Sequence, residues 1–150
     1  MVKVLSKQKA LVVGACMEGH NFKAGWNDIT GRTTPWNTFA VWDVKKLSVF
    51  GFPLLGDGII NHKMGGVEEV TAITMAQNHL RSSTAILMDM SAANISWNTK
   101  FDDPQRAAWH EQKMKSKDER PAVQLTFLDR YKQGRVYHMP YDEVMRLQQK

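Results

Sequence analysis

Residues 37–44 constrain the fold of this chain more than any other stretch. Read as a strand, they put Phe39 and Val41 on one face and Ala40, Trp42 and Val44 on the other. A strand that is apolar on both faces must be covered on both sides, which calls for a sheet with helices above and below it. Two further apolar runs meet that demand. Residues 10–13, closed by Gly14, and residues 84–90 both read as buried strands.

Helices alternate with these runs. Asp43 is placed to cap a short helix through Leu47 and Phe50, ended by Gly51 and Pro53. Residues 67–80 set Val67, Val70, Ile73 and Leu80 near one helical face, with Glu68 and Glu69 in the first turn, where the helix dipole favours acids. Asp103 followed by Pro104 is a strong helix start, and that helix is expected to run to about Lys117 and to stop before Pro121. Residues 122–131 could form helix or strand, helix being favoured, and 135–139 read as a strand. Pro140 opens a last helix containing Val144 and Leu147. Residues 18–35, rich in Gly, Asn, Asp and Thr and without a period, read as a loop, and residues 54–66 as a second loop, flexible in its glycines. The expected class is α/β, with a mixed α+β arrangement as the alternative: a two-layer or three-layer mixed sheet with flanking helices.

Composition agrees. With 150 residues, 43% hydrophobic and 23% charged, the sequence fits a single globular domain over residues 1–150 and excludes a disordered chain. No run approaches the ~18 apolar residues of a membrane span, and the lysine-rich start lacks the apolar core of a signal peptide. The lone Cys16 suits a reducing, cytoplasmic setting. The five tryptophans and nine methionines are expected mostly in the core. The net charge of +5 is spread among interspersed acids: nine Lys/Arg against seven Asp/Glu over residues 1–99, an excess of +2, and eleven against eight over 100–150, an excess of +3. That permits an anionic ligand but argues against a dedicated nucleic-acid binder, which would show a dense basic block.

Three segments could carry chemistry. The turn Gly14-Ala-Cys-Met-Glu-Gly-His20 follows a strand, yet it has neither the Lys-Ser/Thr of a P-loop nor a dinucleotide glycine pattern. Cys16 there reads more readily as an inert thiol than as a nucleophile. Gly65 and Gly66 let the backbone approach a ligand, and Glu68 or Glu69 beyond them could serve as a general base. Adjacent helical residues point ~100° apart, so the two acids are not expected to share one small site. On the later helix, Arg106, His110, Lys113 and Lys117 fall on one stripe suited to a diphosphate, or to a metal–diphosphate with His110 as ligand. Solvated acids and a solvated basic face are the plainer readings of both segments. His62, His79 and His138 have no partner at metal-ligand spacing.

The order of these motifs resembles the second, acceptor-side half of the A-type nucleotide-sugar glycosyltransferases over residues 34–120. Carrying the likeness are Thr34-Pro-Trp-Asn-Thr-Phe-Ala-Val-Trp-Asp43, Lys46-Leu47, Gly51-Phe-Pro53, Gly65-Gly-Val-Glu-Glu-Val70 and His110-Glu-Gln-Lys-Met-Lys-Ser-Lys117. The resemblance implies Glu68 or Glu69 as the acceptor-activating base and Trp36 and Asn37 lining the sugar site. It also implies His110 with Lys113 facing a diphosphate or its Mn²⁺ or Mg²⁺ ion. No Asp-x-Asp triplet is present, and the family's nucleotide-binding first half has no room before Ala10. The chain therefore reads as an incomplete glycosyltransferase-like fold with a nucleotide-sugar or other phosphorylated ligand. The rival reading is a non-catalytic assembly protein that docks a protein partner or a second copy of itself, and a weaker third is a nucleic-acid binder using the +3 C-terminal third.

Overall fold

The computed structural model describes residues 1–57, 66–92 and 101–149. One mixed five-stranded sheet organises them, built from β1 (Val12–Ala15), β2 (Gly25–Asp28), β3 (Ala40–Trp42), β4 (Ala85–Met88) and β5 (Arg135–Met139). The strand order is β2-β5-β4-β1-β3. The central strands β1, β4 and β5 are parallel, with Val12 opposite Ala85 and Ala85 opposite Val136, while β3 and β2 close the edges antiparallel.

Alternation along the central strands divides the core into two layers. Val12, Ala85, Leu87 and Val136 point to one face and pack with α4 (Glu68–His79) through Val70, Ile73 and Ala76. Val13, Ile86, Met88 and Met139 point to the other face and meet Val4 of α1 (Val2–Lys7) and Val144 of α6 (Tyr141–Gln149). The result is a three-layer α/β/α sandwich. On the outer face the Lys3 and Lys7 ammoniums donate to the Gln148 and Leu147 carbonyls at 2.9 and 2.7 Å, so basic residues of α1 satisfy the C-terminal end of α6. None of the described helices is long and apolar enough to cross a membrane.

Several expectations change. Residues 37–44 do not form one long central strand: a 3-10 turn over Asn37–Phe39 precedes a three-residue β3, which lies half-buried at the sheet edge. Val44, expected on a covered face, begins α2 (Val44–Leu47) and is 73% exposed. The 18–35 loop contains β2, an edge strand of Gly, Trp, Asn and Asp whose formation depends on pairing with β5 rather than on its own composition. The start of the 54–66 loop is helical, α3 (Leu54–Asp57), and Gly56 is not a flexible joint. A Cβ there would lie 2.8 Å from the Glu68 Cα, so glycine is what lets α3 rest on α4. Glu69, Val70, Thr71, Ala72, Ile73, Thr74 and Ala76 are all buried, so α4 is enclosed on most of its circumference rather than half-solvated.

Proline does not stop the long helix. α5 (Pro104–Thr126) runs 23 residues through Pro121, starting from an Asp103 cap that accepts the Gln105 and Arg106 amides. A mid-helix proline removes one N–H and costs about 3 kcal/mol. Here Pro121 is buried, and Gly31 packs against its ring and against the Lys117 carbonyl, the acceptor that the missing N–H would have served. Tertiary contact offsets the local cost. Of the aromatic and sulfur side chains expected in the core, Trp26 and Trp109 are instead 51% and 60% exposed, while Trp36, Met88 and Met139 are buried.

Candidate functional site

Parallel α/β sheets gather ligands beyond the carboxyl ends of their strands, and the candidate residues converge there. Antiparallel pairing of β3 with β1, Gly14 opposite Ala40, brings residues 36–39 to the carboxyl end of β1. The amino terminus of α4 and the middle of α5 close the other sides. Between them lies a cleft of about 430 Å³, walled by Trp36 and Asn37, by Glu68 and Glu69, and by His110, Lys113 and Lys117. A cleft of this size fits a sugar-phosphate-sized ligand. Gly66 also lines it; Gly65 and His62 lie outside the described residues. Arg106, the first member of the expected basic stripe, stays outside the lining, exposed at the start of α5 with its guanidinium 5.1 Å from the Phe101 ring centre. Gly14 is not a phosphate-binding turn: it lies inside β1, where a Cβ would come within 2.6 Å of Pro35.

Both acids share the cleft, contrary to the angular argument from the helix alone. The reason is Asn37. Its backbone N–H donates to Glu69 Oε1 at 2.6 Å, and its side-chain Nδ2 donates to Glu68 Oε1 at 3.2 Å. Trp42 Nε1 in turn donates to Asn37 Oδ1 at 2.9 Å, which holds the amide in place. One residue from another element can collect two carboxylates that the helix splays.

The two acids differ in environment. Glu69 is only 4% exposed, and its Oε2 has no hydrogen-bond partner among the described residues. Burial pushes its pKa up, opposed by the amide bond from Asn37. Glu68 is half-buried at the rim. At this helix start Val67 adopts φ +68°, a left-handed conformation that costs a β-branched residue strain, directly beside the acids.

Across the cleft, Lys117 lies with its ammonium 3.9 Å from the centre of the Trp36 ring. Burial lowers its pKa to about 8; Glu69 works against that shift, and Lys113 and Arg32 add to it. Two acids of the same helix pair with other cations. Asp118 binds Arg32 at 2.9 Å and Glu111 binds Lys115 at 2.8 Å. Arg32 also donates to the Gly19 and Met114 carbonyls at 3.1 and 2.6 Å, tying the loop after β1 to α5.

Trp36 is fixed from behind. Its Nε1 donates to the Gly31 carbonyl at 2.7 Å, and the His20 ring stacks on it at 3.7 Å. His20 accepts the Met17 amide on Nδ1 at 3.0 Å and donates from Nε2 to the Thr34 carbonyl at 3.1 Å, a neutral tautomer. Burial lowers its pKa to about 4. His138, fully buried in β5, is likewise neutral, accepting from the Lys23 amide and donating to the Thr33 carbonyl. Both histidines brace the loop before β3.

Val67, Met17, Thr38, Phe101 and Met114 complete the lining; the sequence marked Val67 only as an apolar-face residue of α4 and did not single out the other four. Phe101 and Met114 each neighbour a recognised feature, the Asp103 cap and the basic stripe, but an apolar wall residue carries no signature of its own. No group of three His, Cys, Asp or Glu side chains converges among the described residues, and His110 instead lies beside Phe101, ring centres 5.2 Å apart. The chain matches no family model, no curated protein and no solved structure.

Proposed function

We propose that the cleft binds a sugar carried on a phosphate or diphosphate, and that Glu69 accepts a proton from a hydroxyl in transfer of that sugar. The observation that carries this reading is the free Oε2 of buried Glu69, held by Asn37 on one side of a cleft whose other side presents Lys113 and Lys117. A nucleotide-sugar donor would lay its diphosphate on the two lysines and His110. As the acceptor oxygen attacks the anomeric carbon, its proton passes to the Glu69 carboxylate, whose side chain must turn Oε2, closed to solvent as it stands, towards the acceptor. The bond from that carbon to the diphosphate oxygen breaks, with the electron pair leaving on the diphosphate. Lys117 balances the charge that develops there. Glu68 and Asn37 supply hydrogen-bonding groups for sugar hydroxyls, and no step is routed through a metal ion.

Calorimetry with nucleotide sugars and inorganic diphosphate, with and without Mg²⁺ or Mn²⁺, tests binding. Release of nucleoside diphosphate tests transfer. Lys117→Met is expected to weaken diphosphate binding by about tenfold, equivalent to about 1.4 kcal/mol. Glu69→Gln is expected to keep donor binding while losing roughly 10²-fold or more in turnover. Absence of binding by every nucleotide sugar and by diphosphate in the wild type would overturn the reading.

A second reading has one specific support. Val44, Val49, Phe52 and Leu54 are 73, 58, 41 and 64% exposed within one short stretch beside the β3 edge, a surface an assembly protein would cover. Light scattering tests its self-association form: a discrete oligomer dispersed by Val44→Glu favours assembly, and a monomer removes self-assembly.

A further inference from the structure

A second cavity, of about 150 Å³, lies at the carboxyl ends of β1 and β4. Cys16, Met17, Phe39 and Met90 form its apolar walls, and Glu18 and Ser91 are its polar members. Met17 lines both this cavity and the cleft, and Phe39 follows Thr38 of the cleft wall, so the two compartments share a partition. Their chemistry is opposite. The cleft carries Lys113 and Lys117, whereas no Lys or Arg lines the cavity among the described residues, and the negative charge of Asp89 acts on the Cys16 thiol. A phosphate therefore belongs in the cleft and not here.

Volume and lining narrow what does belong. A cavity of about 150 Å³ is the size that holds one benzene-like ring. Two thioethers, a thiol and a phenyl ring are polarisable surfaces that favour the face of a flat π-system. The Ser91 hydroxyl can meet a polar ring edge.

We propose that this cavity is a subsite for one flat, uncharged, unsaturated ring of a ligand whose anionic part lies in the adjoining cleft. The inference rests on the phosphorylated-sugar reading of that cleft. Two sources offer such a ring: the base of a nucleotide donor, or an aromatic alcohol serving as acceptor.

Cys16, the chain's single cysteine, is a built-in reporter. Its alkylation by iodoacetamide, followed by intact mass, is measured with uridine, adenosine, phenol, methyl glucoside or inorganic diphosphate. A ring that fills the cavity slows alkylation by 1 + [L]/Kd, about fivefold at four times Kd. Methyl glucoside and diphosphate leave the rate within about twofold. Protection by nucleosides alone assigns the ring to the donor base, protection by phenol alone to an acceptor, and protection by both supports the subsite for either. Ser91 is exposed, so Ser91→Phe can plug the mouth without entering the core; it is expected to slow alkylation of the ligand-free protein and to remove any further slowing by ring compounds. Absence of protection by every ring compound, equal protection by methyl glucoside, or protection that survives in Ser91→Phe overturns the proposal. Calorimetry of diphosphate on the same samples separates the two readings. Diphosphate binding without ring protection retires the subsite and keeps the cleft; ring protection without diphosphate binding retires the cleft.

Discussion

Acidification should loosen the back of the cleft through His20, and the size of the effect follows from its surroundings. The ring is neutral, with Nδ1 accepting from Met17 and Nε2 donating to Thr34, and burial lowers its pKa from 6.5 to about 4. Between those two values the unfolded chain binds a proton that the folded chain refuses. Stability contributed by neutral His20 is therefore present above pH 6.5 and is lost as pH falls towards 4. Each pH unit is worth about 1.4 kcal/mol, so about 2 kcal/mol disappears between pH 7.5 and pH 5, an upper figure because the ring keeps some contact with solvent.

His20→Phe preserves a ring against Trp36 but cannot titrate. At about pH 7.5 it should cost about 1–3 kcal/mol, because the Met17 amide and Thr34 carbonyl lose their partner. At about pH 5 that deficit should shrink by about 2 kcal/mol, since only the wild type then bears the cost of excluding a proton. His138, with its pKa also lowered by burial, titrates in both proteins and cancels in the comparison. Urea unfolding monitored by tryptophan fluorescence at the two pH values measures the difference. A deficit that stays constant to within about 0.5 kcal/mol would refute the claim that His20 is held neutral in the fold.

Turnover should follow a bell in pH, rising as Glu69 ionises above its elevated pKa and falling as Lys117 loses its proton near 8; a profile flat through pH 8 to 9 removes Lys117 from the charge-balancing role. Arg32→Ala should cost about 1.5–3 kcal/mol, because it strips charge-assisted bonds from the Gly19 and Met114 carbonyls. Asp118→Ala should cost under about 1 kcal/mol, its carboxylate being 59% exposed, and the two denaturation curves side by side test that asymmetry. Gly31→Ala drives a methyl into the Lys117 carbonyl and the Pro121 ring, so a loss of about 1–3 kcal/mol is expected, with a marked change in Trp36 fluorescence. Asn37→Ala should leave the Glu69 bond intact, since its donor is backbone, while freeing Glu68. A small stability loss, under about 2 kcal/mol, with weakened sugar binding is the expected calorimetric result.

Local pattern determined much of this molecule. The apolar runs that became β1 and β4, the Asp103–Pro104 start of α5, the acids opening α4 and the β5–Pro140–α6 ending are short-range signals, and each describes an element that its own residues favour. Pattern also marked Glu68, Glu69, His110, Lys113 and Lys117, and the resemblance over residues 34–120 added Trp36 and Asn37; all seven line one cleft. Tertiary structure decided the rest. Edge pairing made β2 a strand and left β3 half-covered, and packing on Gly31 carried α5 through Pro121. Asn37, from outside the helix, drew two splayed carboxylates into one site, and burial alone separated the free oxygen of Glu69 from its neighbour at the rim. Which element covers which is settled by contacts distant in sequence, and so are the charge states of the groups they enclose.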